Sequence, residues 1–219
     1  MKQNAKKNYP KNFMRPPWVN ASHVTLDLCG FSIINTNSGN TATAISIFNK
    51  ISVAVRNGTI DGFEQAVQSN AVFESFIFVT GVELDELKVT RSLRAPITTL
   101  QGAIDLTGRG NIVRNCSVFR TGFIAQTNIT PVAAIKITGP SNQVINSTVL
   151  EVDVAPSSGA DAYGIYVSGS GNFILANRIS DVQHGIYFTS DDGGKYANNL
   201  TGVNVPDPFE GGTDAGNNQ

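Results

Sequence analysis

Charge is scarce in this chain. Only 15% of its 219 residues are charged, and the formal net charge is −1. A chain so nearly neutral sets up no strong field for nucleic acid or an anionic membrane surface. Cysteine is also scarce. Two residues, Cys29 and Cys116, are too few for a disulfide scaffold. Two histidines, His23 and His184, rule out a histidine-rich metal site. No apolar run approaches the ~18 residues of a membrane-spanning helix. The opening "MKQNAKKNYPKNFMRPPW" is basic but has no apolar core, so no signal peptide is recognised in this chain. Phosphate-cradling glycine loops, a C-x-x-C pair and a G-x-S-x-G elbow are all missing. So is any stretch with apolar residues at i, i+3, i+4 and i+7 over three turns.

Asparagine and glycine fill the space that charge leaves, with 22 and 21 copies. Both serve turns and left-handed backbone, while Val, Ile and Thr serve strands. Many short strands joined by tight turns are expected. Six N-x-S/T sequons, at Asn20, Asn57, Asn115, Asn128, Asn146 and Asn199, read as by-products of this Asn/Ser/Thr-rich grammar.

One phrase recurs. It reads "NIVRNCSVF" from Asn111, "NQVINSTVL" from Asn142 and "NFILANRIS" from Asn172. Its second aliphatic position falls on Leu28, Val55, Leu84, Val113, Val144 and Ile174, in steps of 27, 29, 29, 31 and 30. The aliphatic five residues later falls on Ile33, Ile60, Val89, Val118, Val149 and Ile179, in the same steps. Two columns in phase over six repeats mark a repeat architecture. Ahead of the late phrases lies a second alternation. Ile104/Leu106, Ile135/Ile137, Ile165/Val167 and Ile186/Phe188 share one side with period two. Strands without intervening helices predict a solenoid in which each strand pairs with its counterpart ~4.8 Å away in the next repeat. Two residues after the first column stand Gly30, Asn57, Glu86, Asn115, Asn146 and Ala176. This row predicts an asparagine ladder at Asn57, Asn115 and Asn146, interrupted at Glu86. Cys29 and Cys116 fall about 14 Å apart along such a stack, too far to bridge.

The stretches "HVTLDLCGFSI", "ISVAVRNGTIDGF" and "GNFILANRISDVQHGIYF" resemble the repeats of right-handed parallel β-helix proteins of the pectin-lyase-like superfamily. The resemblance covers roughly residues 22–188. It implies an all-β, right-handed, single-stranded parallel β-helix of about six to seven coils. It also implies an extracellular or cell-surface setting. Residues 1–21 read as an N-terminal arm or cap, with Phe13 and Trp18 covering the first coil and Pro16-Pro17 blocking strand addition. Residues 22–190 read as the β-helix. Residues 191–219 read as an irregular last coil and tail, because Pro206, Pro208 and Gly211-Gly212 argue against further regular strands. The long irregular segments at 61–74, 90–103, 119–133 and 150–164 leave from one corner and flank one side of the stack.

The candidate binding row comes from the outward residues between the inward pairs: Asp105, Lys136, Tyr166 and Tyr187. Stacked tyrosines beside a lysine and a carboxylate suit an extended polysaccharide. Ring faces pack on sugar C–H surfaces, and the polar ends fix hydroxyls or a uronate. In the resembled superfamily this strand often forms the substrate face. A plain solvated sheet with an exposed Asp105–Lys136 pair is the alternative.

Catalysis has two weaker candidate groups. In "VELDELKVTRSLRAP", Lys88, Arg91 and Arg94 follow Glu83, Asp85 and Glu86. β-Elimination of uronates needs a base and cations for the developing enolate. By resemblance, lyases of the superfamily use Lys and Arg this way, often beside Ca²⁺. In "SDVQHGIYFTSDDGGK", Asp181, His184, Asp191 and Asp192 are similar to the acidic pair and His-Gly of polygalacturonase-like hydrolases, but in reversed order. Three functions compete: a β-helix scaffold binding polysaccharide, a polysaccharide lyase, epimerase or glycoside hydrolase, and a structural or adhesive solenoid. The only cofactor implied is Ca²⁺, and only for a lyase. The partner implied is a glycan, with no nucleic acid and no membrane span. The oligomeric state is open.

Overall fold

The computed structural model describes residues 18–36, 42–70, 79–93, 99–122, 130–154, 159–189 and 193–219. These residues form strands, turns and bends, with no helix among them. Among the described residues, no helix is therefore long and apolar enough to cross a membrane. Two parallel sheets account for the strands, and within each the repeats stack in chain order.

The first sheet has eight strands: Trp18–Val19, Thr43–Phe48, Gln65–Asn70, Gln101–Thr107, Val132–Thr138, Ala162–Ser168, His184–Phe188 and Asp207–Glu210. The second has thirteen, in two columns of short strands. These columns join where Val53–Asp61 and Glu83–Thr90 each run unbroken through the corner that later repeats divide. That corner is left-handed throughout. Asn57, Glu86, Asn115, Asn146, Ala176, Asn198 and Asn217 all have φ between 48° and 59°. Asparagine reaches this conformation with little strain, which explains its abundance.

The three aliphatic columns are one-repeat neighbours. Leu84, Val113, Val144 and Ile174 pair in sequence. So do Ile33, Ile60, Val89, Val118, Val149 and Ile179. In the first sheet Val67, Ile104, Ile135, Ile165 and Ile186 do the same. Apart from Ile33, which is partly buried at the first repeat, their side chains are at most 1% exposed, and all pack into one continuous core. Burying each such aliphatic is worth about 1.5–3 kcal/mol.

Two readings of the sequence change. In the first repeat, Leu26 rather than Leu28 pairs with Val55. Seven residues separate Leu26 from Ile33, where five separate Val55 from Ile60. The surplus forms a turn closed by Phe31 N–H donating to Leu28 O at 2.8 Å. Leu28 then folds over Gly58, where an added Cβ would lie 2.4 Å from its own. The later residues also stay regular. Lys195–Ala197, Leu200–Thr201, Asp207–Glu210 and Thr213–Asp214 all pair with the repeat before them. Pro208 is tolerated because its strand ends the first sheet and bonds on one side only.

The asparagine ladder is shorter on the outside than expected and deeper inside. Asn146 Nδ2 donates to Asn115 Oδ1 at 2.8 Å. Asn115 and Asn57 instead donate to Asp85 and Asp27, at 2.8 and 3.3 Å. The buried stacks lie at other positions. Asn111, Asn142 and Asn172, at the head of each phrase, are at most 1% exposed. Each accepts a backbone N–H of the preceding repeat, from Val82, Asn111 and Asn142, at 2.8–2.9 Å. A second stack runs through Ser147, Asn177, Asn199 and Asn218.

Cys29 is exposed and Cys116 buried, and both thiols are free. Burial pushes the Cys116 thiol up to about 12. Phe13, Pro16 and Pro17 lie outside the described residues. So do 71–78, 94–98, 123–129 and 155–158 within the long irregular segments.

Candidate functional site

The outward side of the first sheet carries two rows. In one, Ser46, Gln68, Asp105, Lys136, Tyr166, Tyr187 and Glu210 are successive partners. The four residues singled out from the sequence are therefore consecutive, one per repeat. In the adjacent row, Gly102, Ala133, Tyr163, His184 and Asp207 are partners.

The two rows merge into an aromatic cluster. The Tyr166 and Tyr187 rings stack, with centroids 5.5 Å apart and planes 17° from parallel. Tyr163 lies 5.2 Å from Tyr166, 5.0 Å from Tyr187 and 5.0 Å from the His184 ring. Strict alternation would send Tyr163 and Tyr166, three residues apart, to opposite sides. Gly164 breaks it. A Cβ there would lie 2.7 Å from Gly185 O and 2.8 Å from Ile179 Cγ2, so only glycine fits. Gly185 breaks the next strand in the same way, against Pro208 O. Tyr163 was not singled out from the sequence and His184 was expected in a catalytic group rather than on this face; the signal for both was the glycine following each, at the same place in successive repeats.

Electrostatics divide the face. At one end, Lys136 Nζ donates to Asp105 Oδ2 at 3.2 Å. Asp105 is only 5% exposed and also accepts from Gln65 Nε2 and Gly102 N–H. Burial pushes its carboxyl above the usual range, and Lys136 opposes the shift. The pair is thus a buried tie rather than the exposed contact of a solvated sheet. At the other end, His184 is 14% exposed. Its Nε2 lies 3.7 Å from Asp161, and its Nδ1 lies 3.6 Å from Asp207 and 3.5 Å from Glu210. Neither nitrogen makes a hydrogen bond. Asp161 accepts from the Tyr163 hydroxyl at 3.2 Å. Burial raises the Tyr163 and Tyr166 phenols above their ordinary range, and Asp161 adds to the effect at Tyr163. Both remain neutral hydroxyl donors.

Of the catalytic candidates, His184 lies on this face, and the other described ones lie away from it. Lys88 and Arg91 belong to the second sheet and its following turn. Lys88 Nζ lies over the Phe119 ring at 5.9 Å, and Arg91 Nε donates to Asp61 at 2.6 Å. Glu83 and Asp85 hold Arg114 of the next repeat, at 2.6 and 2.9 Å. Asp181 sits at a second left-handed corner with Arg91, Arg120, Glu151 and Asn204, all at φ 54–58°. It accepts from Asn204 Nδ2 at 2.8 Å. It lines a separate cleft of about 370 Å³ with Glu151, Asp153 and Pro206. Arg94, Asp191 and Asp192 lie outside the described residues. Among the described residues, no group of three or more His, Cys, Asp or Glu side chains is placed to hold a metal ion.

Comparison with protein-family models, with curated proteins and with solved structures gives no match for this chain.

Proposed function

We propose that the chain is a right-handed parallel β-helix of six to seven coils, of the pectin-lyase-like kind, that binds an extended polysaccharide along the outward face of its first sheet. The right hand follows the general preference of parallel strand crossovers. On this reading residues 22–190 form the scaffold, residues 1–21 its arm or cap, and residues 191–219 its closing turns. Asp105, Lys136, Tyr166 and Tyr187 line the track, joined by Tyr163 and His184. The observation that supports binding is the Tyr166–Tyr187 stack beside Tyr163. Sheet partners repeat every ~4.8 Å, a spacing close to the length of one sugar ring. Tyrosine faces on a rigid sheet give sugars contact area at small entropic cost. The neutral phenols supply hydroxyl donors along the edges.

The reading is one of binding: of the catalytic candidates described, only His184 is on the face, and Lys88, Arg91 and Asp181 are each engaged in contacts away from it. The test is a panel of neutral and charged oligosaccharides against wild type and the Tyr166→Ala/Tyr187→Ala variant. At least one oligosaccharide of four or more sugars binds wild type, and the variant weakens it about tenfold or more. Equal binding by both proteins would contradict the proposal, as would a blank panel for wild type.

A further inference from the structure

The charge around the aromatic cluster bears on which glycan fits, an inference that rests on the binding reading above. Consider which ends of the face are free to meet a charged sugar. A uronate polymer brings one carboxylate per residue and needs unengaged cations. Among the described residues of the two outward rows, Lys136 is the only lysine or arginine. Its ammonium is committed to Asp105, whose carboxylate is 7% exposed. Moving Lys136 onto a ligand would strand a buried carboxylate, a change that costs several kcal/mol in comparable pairs.

The opposite end is acidic and open. Asp161, Asp207 and Glu210 ring His184 with side chains 45%, 56% and 52% exposed. The imidazole stacks on buried Tyr163 at 5.0 Å, so the ring left to face this end is half-buried Tyr187, 6.2 Å from the imidazole. Gln183 adds a neutral amide at 3.4 Å from Asp161. No lysine or arginine of the two rows stands among these three carboxylates. Electron-rich ring faces bordered by carboxylates recognise an ammonium group, through cation–π attraction and charge-assisted hydrogen bonds together.

We infer that the face selects an amino-sugar polymer bearing free ammonium groups, with the cationic sugar seated where Tyr187 meets Asp207 and Glu210. Neutral stretches of the same polymer lie over Tyr166 toward Lys136. A polyuronate is excluded by the same three carboxylates.

Isothermal titration with hexamers of glucosamine, N-acetylglucosamine and galacturonate tests this, at about pH 5.5 and low salt so that carboxylates are ionised. The glucosamine hexamer is expected to bind about tenfold tighter than the N-acetyl hexamer, and the galacturonate hexamer weakest. In Asp207→Asn/Glu210→Gln the glucosamine hexamer is expected to fall to within about threefold of the N-acetyl hexamer measured on the same variant. The inference is overturned if galacturonate binds as well as glucosamine or if the preference survives in the double variant. Hexalysine binding as tightly as the glucosamine hexamer would overturn it too, since bare charge would then suffice without a sugar. N-acetyl hexamer binding with no charge preference overturns this inference alone. A blank for all three sugars, or binding unaffected by Tyr166→Ala/Tyr187→Ala, removes the underlying glycan-binding reading with it.

Discussion

Two rows of like side chains run along this stack, and they are finished differently. The buried asparagines beyond the first are saturated, whereas Asn111 Nδ2 at the head of the row has no hydrogen-bond partner among the described residues. Asn142 Oδ1 accepts the Asn111 N–H, while its Nδ2 donates to Gly108 O and Gly139 O at 3.1 and 2.8 Å. Asn177 and Asn199 repeat the arrangement with their own neighbours. The tyrosine–histidine row is unsaturated. Tyr163 is buried among Tyr166, Tyr187 and His184, Tyr166 and Tyr187 stay half-buried, and both His184 nitrogens lack hydrogen-bond partners. A side chain whose every polar atom is matched within the protein can only hold the stack together. The half-buried Tyr166 and Tyr187 leave ring surface for a ligand, while the unbonded His184 nitrogens are themselves covered. On the proposed reading the stack separates cohesion from recognition by facing one row inward and the other outward.

The sharpest way to break the contrast is to disturb the inner row. Asn142→Ala leaves one N–H and two carbonyls without their partner in a site 1% exposed. It is expected to destabilise the fold by about 3 kcal/mol in urea denaturation. Asn142→Asp should be no remedy, because a carboxylate cannot donate to the two carbonyls.

Next in size is the tie between the rows. Lys136→Met removes the partner of buried Asp105 and is expected to cost about 2 kcal/mol near neutral pH. The pH dependence has a definite sign. The Asp105 carboxyl is raised by burial from 3.8, so the folded state holds its proton more tightly than the unfolded chain does. The favourable contribution of this group is complete below about pH 3.8 and is lost as pH rises through its higher folded value. Stability of wild type relative to Asp105→Asn should therefore fall as pH rises from about 4 toward neutral. In Lys136→Met the fall should be steeper and extend to higher pH, since the opposing charge is gone. Thermal melts at a series of pH values check both slopes.

On the outer row the expectation reverses. Tyr166→Ala/Tyr187→Ala should cost only about 1 kcal/mol of stability, since the rings are packed chiefly on each other, yet remove most oligosaccharide binding. Urea denaturation beside the titration separates the two effects. The smallest effect belongs to the left-handed corner. Ala176, at φ 56°, occupies the place where the neighbouring repeats have Asn146 and Asn198. Ala176→Asn should stabilise by about 1 kcal/mol or less, read as a small rise in the melting midpoint.

The sequence was most legible where the chain obeys its period. Val113, Val144 and Ile174, or Val118, Val149 and Ile179, could be aligned by counting alone, because each step is one repeat and the pairing is parallel and unshifted. The row Asp105, Lys136, Tyr166 and Tyr187 followed from alternation beside those columns. Counting failed where the chain departs from its period for a local reason. Two surplus residues in the first repeat moved Leu26 into the place assigned to Leu28. Gly164 and Gly185 interrupted alternation and brought Tyr163 and His184 onto the face. The prolines near the end were read as strand breakers, although an edge strand has room for one at Pro208. The buried asparagines were missed for a different reason. Asparagine was read as a turn former, whereas its amide at Asn111, Asn142 and Asn172 does the work of a backbone pair between repeats. The Asn that opens each copy of the phrase was the visible sign.

The contrast between the inner and outer rows can be tested in one titration followed by NMR. A hexamer of N-acetylglucosamine or glucosamine is added to the protein while the ring signals of Tyr163, Tyr166 and Tyr187 and the side-chain amide signals of Asn142, Asn177 and Asn199 are observed. Saturable shifts of the three tyrosine rings, with the asparagine amides unmoved, are the result expected here. Binding that leaves the tyrosine rings unshifted would contradict the assignment of the outer row as the ligand face.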